Sequence, residues 1–396
     1  MPDKLPKPLF REEKSGGYKF DRVTGSAIFL KGDEFQTAIE GFEEGSFDFI
    51  ERPENASEIA LTAPLAVWHE TTQSCNLSCK ECGQTRSGEK ELSIEQIGQM
   101  YSDLASEGVF EVRVTGGEAC LRQDLGGIVN TASDLGLFVS LTSNGVYGSR
   151  TREKVANLPI GLYILSVDGT QEAHDSIRGE GTFASTMKTI SVLADRGRNV
   201  RVNTVLMQQN KECIAELVAI LHDAGVAALT LIPLRPAGRA AETFQEDKLT
   251  PVEYMRVVEK VVQLRVQYPS FSIATSYDII STSAHSANVP SHWSKMCIAG
   301  VEAACLSPSG NLRACILHPG DEYAVGNLTK QPLRELWHND ALWGIFRDID
   351  RKVLDQCRTC DDYTKKCPGS CLVMTEYARK LGMPLEEMYC FRRQVK

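Results

Sequence analysis

The sequence predicts an α/β protein, with a parallel sheet of β-α repeats between a small α+β unit and a cysteine-rich tail. Three observations carry this. From residue 65 short apolar runs alternate with amphipathic stretches. The 13 cysteines are clustered, three from Cys75 to Cys82 and eight beyond residue 296, with Cys120 and Cys213 left over. After about residue 286 the periodicity gives way to turns such as Ser307-Pro308-Ser309-Gly310-Asn311.

Composition narrows the class. At 396 residues the chain exceeds one average domain. Its 42% hydrophobic and 24% charged residues exclude bulk disorder. No apolar run approaches the ~18 residues of a membrane-spanning helix. Residues Met1 to Pro8 lack the apolar core of a secretory signal, so a cytoplasmic location is expected. A net charge of −9 offers no field for nucleic acid or an anionic membrane, and neither is expected as a partner. Cysteines in a reducing compartment stay unpaired, so their clustering points to metal.

The elements follow in order. In residues 1–64, Tyr18–Asp21 and Ala27–Leu30 are two β-like runs joined by a turn, with a short helix expected through Phe35, Ile39 and Phe42. Polar Glu51–Ser57 looks like a linker. Leu65–Trp68 opens the repeats. Ser93 and Gln96 make a capping box for a helix over Ile94–Ser106, which Gly108 ends. Strands are expected at Phe110–Val114, Leu137–Leu141, Leu162–Val167, Val200–Leu206 and Ala228–Ile232, with helices between, such as Thr186–Asp195 and Glu212–Ala224. A last helix starts at Pro251 behind a Thr250/Glu253 box. In the tail one helix is expected over Leu333–Ile349; a segment with five cysteines and little apolar periodicity follows and needs metal staples.

Cys75, Cys79 and Cys82 have the spacing C-x3-C-x2-C just after the first strand, where βα loops gather ligands at the C-terminal face of a parallel sheet. Three thiolates can hold three irons of a [4Fe–4S] cube and leave the fourth iron open. The alternative is a structural zinc site, which needs a fourth ligand such as His69 or His174.

With these residues the sequence resembles the radical S-adenosylmethionine (radical SAM) superfamily over most of residues 65–396. The resemblance implies a partial (β/α)6 TIM-type barrel at 65–285 and a radical started by reductive cleavage of S-adenosylmethionine to a 5′-deoxyadenosyl radical. Further motifs match in order. Thr115-Gly116-Gly117-Glu118 looks like the methionine-binding element, with Glu118 accepting from the methionine ammonium. Ser143 and Asn144, in Thr142-Ser143-Asn144-Gly145, match the Asn-Gly element. Ser166, in Ser166-Val167-Asp168-Gly169, would bind the ribose; Asp168 belongs to the same cofactor-binding set. Arg178 would pair with the methionine carboxylate. Asn203 and Leu231–Ala240 also fit. Two positions depart from the family. Glu81 stands where an aromatic residue precedes the third cysteine, and Ala119 stands where proline often follows Gly-Gly-Glu.

The tail cysteines resemble the SPASM extension, which carries auxiliary clusters; the resemblance implies that residues 286–396 form this domain. By resemblance, Cys297, Cys315 and Cys371, with Cys305 as fourth ligand, would hold one auxiliary [4Fe–4S] cluster, and Cys357, Cys360, Cys367 and Cys390 a second. Paired structural zinc knots are the alternative. Full ligation suggests an electron relay. Cys120 and Cys213 read as small buried hydrophobes, and His69 and His174 as structural groups.

The resemblance implies an enzyme, a radical SAM oxidoreductase or maturase. It would act on a side chain or backbone carbon of a ribosomally made peptide or protein by crosslinking, thioether formation, epimerisation or oxidation. An external reductant such as flavodoxin or ferredoxin is implied. The rivals are a non-peptide substrate such as a haem-type tetrapyrrole, and a non-catalytic iron–sulfur carrier or sensor. Residues 1–64 are either a leader-peptide recognition element acting through a sheet edge or a lid over the barrel.

Overall fold

The computed structural model describes residues 7–43, 45–84, 87–275, 297–318, 323–348, 359 and 371–382. The N-terminal unit contains more than its hairpin. Strands β1 (Leu9–Glu13), β2 (Gly16–Asp21), β3 (Ser26–Lys31) and β4 (Asp48–Ile50) make one sheet in the order β3-β2-β1-β4, with α1 (Gly32–Glu40) after β3. β2 and β3 occupy the two runs singled out in the sequence. β1 carries no apolar alternation in the sequence because two of its inward positions are charged: Arg11 and Glu13 form a fully buried ion pair at 2.9 Å, beside buried Leu9.

The parallel repeat follows. β5 (Ala66–Glu70), β6 (Glu111–Thr115), β7 (Phe138–Ser143), β8 (Leu162–Ser166), β9 (Val200–Leu206), β10 (Ala228–Pro233) and β11 (Ser272–Thr275) pair in sequence order, each parallel to the next. The helices of this region are α2 (Ile94–Ser106), α3 (Leu125–Asp134), α4 (Ser149–Ala156), α5 (Gln171–Arg178), α6 (Thr182–Ala194), α7 (Ile214–Asp223), α8 (Ala240–Asp247) and α9 (Pro251–Gln267). Both predicted capping boxes form, at Ser93/Gln96 and Thr250/Glu253. Alternate strand residues face the helices. On β5, His69 bonds Tyr101 of α2 at 2.8 Å, and on β8 Tyr163 reaches the Val155 carbonyl of α4. Trp68, Arg113, Ser140, Ile164 and Arg201 therefore share the opposite, concave face. This is the partial TIM barrel architecture.

The C-terminal region does not stand apart. β12 (Ala303–Leu306) pairs parallel with β5, and β13 (Asn311–Arg313) and β14 (Ala324–Asn327) continue antiparallel, so ten strands form one sheet in the order β11-β10-β9-β8-β7-β6-β5-β12-β13-β14. The single helix expected over residues 333–349 is broken into α10 (Leu333–Trp337), α11 (Asp340–Trp343) and a 3-10 turn over Gly344–Phe346. The reason lies at Gly344, whose φ of +43° no continuing helix allows, and at Arg347, sandwiched 4.6 Å from both the Trp337 and Trp343 rings. The last described helix is α12 (Leu372–Leu381).

Residues 51–57 are no free linker. The Ser57 hydroxyl donates to Asp340, and Trp337 Nε1 donates to the Leu61 carbonyl at 2.7 Å. The N-terminal unit packs at the start of the barrel strands: Phe20 stacks on Phe110, just before β6, at 4.5 Å. Arg11 donates to the carbonyls of Pro64 and Gly108. That is the end opposite the loops leaving the strands, so the unit does not roof the cysteine loop. No helix among the described residues is long and apolar enough to cross a membrane.

Candidate functional site

The loop after β5 carries Cys75, Cys79 and Cys82, and four neighbouring elements hold it. The Gly-Gly-Glu turn after β6 lies against the backbone leading into Cys75: Gly117 N donates to the Thr72 carbonyl at 2.7 Å and Glu118 N to the Ser74 carbonyl at 2.8 Å. Glycine is required by contact. A Cβ on Gly116 would stand 2.3 Å from the Thr72 carbonyl oxygen, and one on Gly117 2.3 Å from that of Ser74. Gly116 also has a φ of +145°.

Glu118 is buried. Its Oε1 accepts from Cys120 N and from the Ser143 hydroxyl, and its Oε2 accepts from Asn144 N at 2.8 Å. Burial raises its pKa against the opposing pull of these donors. A carboxylate has about four lone-pair sites, so three bonds leave room for one more donor. Asn144 Nδ2 donates to Asn76 Oδ1 at 2.9 Å and lies 3.9 Å from the Cys75 sulfur, and Asn76 Nδ2 reaches the Val146 carbonyl at 2.6 Å. The turn after β7 thus clasps the first cysteine.

The second half of the loop is held from the other side. Arg239 donates to the Cys79 carbonyl at 2.6 Å, Lys80 N to the Ile177 carbonyl, and Ala240 N to the Cys82 carbonyl. Arg178 bridges two carboxylates, 2.8 Å to Glu81 and 2.5 Å to Asp168. Asp168 Oδ1 accepts from Val205 N on β9, and Asp168 N donates to His174 Nδ1, which fixes the His174 proton on Nε2. Burial holds the His174 pKa down to about 4. The departure at Glu81 therefore has a structural consequence. Its side chain is buried, its pKa is pushed up to about 7 by burial against the pull of Arg178, and it ties the cysteine loop to α5. A methionine carboxylate at Arg178 would share the guanidinium with both acids.

The donor set suits a cationic cluster. Burial, with Glu81 next, pushes the Cys79 thiol up to about 12, and burial raises Cys82 as well. A thiolate there requires a compensating cation. Among the described residues no three His, Cys, Asp or Glu side chains converge on the position of a single ion; the thiolates of a cube each take a different iron.

In the C-terminal region, Cys315 is raised by burial and then by the charges of Cys371 and Cys297, so both lie within electrostatic reach of it. Cys305, on β12, is fully buried, raised first by burial and next by Glu70, and within reach of Cys315. Cys357, Cys360, Cys367 and Cys390 lie outside the described residues. Ser166 ends β8 opposite Asn203 of β9. His69 faces α2, away from the cysteines, with burial holding its pKa down to about 3. Cys120 is buried beside Ser143; Cys213 donates to the Asn210 carbonyl at the start of α7. No sequence pattern pointed to Asn76 or to the Arg239 contact: both act through hydrogen bonds between residues far apart along the polypeptide.

Comparison with known proteins agrees with this architecture. Residues 69–221 match the profile of the radical SAM superfamily, and residues 297–361 that of the SPASM iron-sulfur cluster-binding domain. The chain carries a radical SAM domain and a SPASM domain and is an enzyme; the carrier reading is not retained. Among relatives, the AdoMet-dependent heme synthase of Methanosarcina barkeri is 29% identical, over 85% of this chain and 99% of its own length. Mycofactocin maturase MftC of Mycolicibacterium smegmatis is 26% identical, over 83% and 82%. The structure of SuiB from Streptococcus suis bound to S-adenosylmethionine shares the fold with a TM-score of 0.72 at 19% identity, covering 93% of this chain and 96% of SuiB.

Proposed function

We propose that this enzyme modifies a ribosomally made peptide or protein at a carbon of a side chain or backbone. The observation that carries the reading is the convergence of the cysteine loop, the Gly-Gly-Glu turn and the Asn144 turn at the C-terminal ends of three adjacent strands, β5, β6 and β7. When bound, the [4Fe–4S] cluster and S-adenosylmethionine supply a one-electron cleavage that yields a 5′-deoxyadenosyl radical able to take hydrogen from carbon. Cys75, Cys79 and Cys82 hold that cluster. Gly116 and Gly117 keep the backbone open to the methionine, and Glu118 accepts from its ammonium at the remaining lone pair. Ser143 and Asn144 orient Glu118. Ser166 and Arg178 contact the ribose and the methionine carboxylate, with Asp168 and Glu81 fixing the guanidinium.

Cys297, Cys305, Cys315 and Cys371 hold one auxiliary cluster, and Cys357, Cys360, Cys367 and Cys390 a second; an external donor such as flavodoxin or ferredoxin supplies electrons. The peptide reading is supported by MftC, a maturase, and by SuiB, whose structure with precursor peptide SuiA has the same fold. It is also supported by β3, an edge strand with Ser26, Ala27 and Ile28 exposed, on which a leader could add a strand. A haem-type tetrapyrrole is the second reading, favoured by the heme synthase relative, which this chain matches over 99% of that protein's length.

The test is anaerobic reconstitution with iron, sulfide and zinc counting, then reduction with S-adenosylmethionine. About 12 irons per protein molecule and release of 5′-deoxyadenosine are expected, and replacing Cys75, Cys79 and Cys82 with alanine should remove about four irons and all cleavage. About four irons with zinc would overturn the auxiliary-cluster assignment. A mass change on a tetrapyrrole and none on a peptide encoded beside the gene would favour the second reading.

A further inference from the structure

Among the described residues, the concave face of the sheet carries three arginines, and two are matched. Arg113 of β6 forks onto Glu111 through two bonds of 2.8 Å and lies 4.5 Å over the Trp68 ring. Arg313 of β13 faces Glu70 at 3.1 Å. Arg201 of β9 is the third. Its guanidinium makes no hydrogen bond or ion pair among the described residues, and its Nε is sealed from solvent with nothing to donate to. Glu111 attracts it without bonding it, because both Glu111 oxygens are taken by Arg113 and one also by the Ser140 hydroxyl. Burial and the repulsion of Arg113 lower the Arg201 pKa more than the attraction of Glu111 raises it, as expected where two cations share one carboxylate.

An arginine does not shed its proton at ordinary pH, so this charge stays on; the residue is half-buried, only its Nε is sealed, and a charge drawn out of bulk water without a hydrogen-bonded partner destabilises the fold. Such a group persists where a ligand completes it. The position is informative. Arg201 lies two residues, ~7 Å along the strand, before Asn203, whose partner across β8 is Ser166 at the cofactor end of the barrel. Asn203 Oδ1 is likewise buried without a donor. A group entering the barrel past the cofactor position would meet Arg201 next.

We propose that Arg201 receives a carboxylate of the substrate, either the C-terminal carboxylate of a peptide or an Asp or Glu side chain, and so sets how deep the substrate enters the barrel. A guanidinium fork fits a carboxylate through two parallel bonds, which orients it as well as attracts it. This rests on the peptide reading above and adds that the modified segment bears a carboxylate close to the reacting carbon.

The test uses thermal shifts of the reconstituted full-length protein with millimolar N-acetylalanine, α-amidated N-acetylglutamate and neutral N-acetylalanine amide. Wild type should be stabilised by one or both acids and not by the amide; which acid acts tells main-chain terminus from side chain. Arg201→Met should weaken acid binding at least tenfold and, without ligand, melt no lower than wild type, since it removes an unmatched charge at similar volume. Arg201→Gln serves if the methionine variant does not fold. Equal shifts by acid and amide, unchanged acid binding in the variant, or a lower melting temperature of the ligand-free variant would overturn the assignment. Reductive cleavage of S-adenosylmethionine by wild type is measured separately. If it fails, the proposed function falls, while the probe comparison still decides Arg201.

Discussion

Two positions at the candidate site are decided by close contacts with the cysteine loop. Gly117 has no room for a methyl group against the Ser74 carbonyl, so Gly117→Ala should displace the lead-in to Cys75 at about 1–3 kcal/mol, the range of overpacking. Equilibrium binding of S-adenosylmethionine should weaken roughly ten- to hundredfold for that energy; unchanged affinity would show that the turn yields freely. Arg178 answers to two buried carboxylates. Arg178→Met leaves Glu81 and Asp168 facing each other uncompensated, a loss of about 3–5 kcal/mol. Adding Glu81→Gln should restore part of it, and additive effects in denaturant melts would mean the three groups do not act as a unit. At this scale the sequence was legible wherever a residue type is scarce and its spacing fixed, as with Cys75, Cys79 and Cys82. Glu81 was visible only as a departure. Its partner Arg178 lies on another element, and an ion pair between distant positions leaves no local pattern.

Among the elements, the capping box at α9 carries a test by pH. The hydrogen bond from Lys211, with those from Thr250 and Gln208, holds the Glu253 carboxyl down to about 2 from an ordinary 4.5. The folded value is depressed, so the stabilisation is complete above pH 4.5 and is lost as pH falls through about 2. Melting temperature should drop over that interval in wild type and drop less in Glu253→Gln; parallel curves would refute the assignment. Helices with paired end signals, α2 and α9, were legible because a cap is written in adjacent residues. The helix expected over residues 333–349 failed because its apolar period is real while Gly344 and the Trp337–Arg347–Trp343 stack break its axis. Strand β1 failed for the opposite reason, as charged Arg11 and Glu13 are buried along with Leu9 and Phe10.

Across the whole molecule, three regions that composition separates are joined. Arg11 links the N-terminal sheet to the base of the barrel through Glu13, two backbone carbonyls and the Phe110 ring at 4.4 Å. Arg11→Ala strands the Glu13 carboxylate in the interior and should cost about 3–5 kcal/mol, with protease cutting near residues 51–57 rising in step; an unaltered cutting pattern would mean that the two parts dock independently of this side chain. The tail looked separate because turns and cysteines carry no period, yet β12 lies hydrogen-bonded along β5, the strand that leads into Cys75. The loop before Cys75 and the strand bearing Cys305 are rooted in adjacent rows of one ladder. Charge handed from one cysteine group to the other would therefore cross a gap fixed by covalent and hydrogen-bond geometry, as between two terminals on one circuit board, with no waiting for a tethered domain to swing into range.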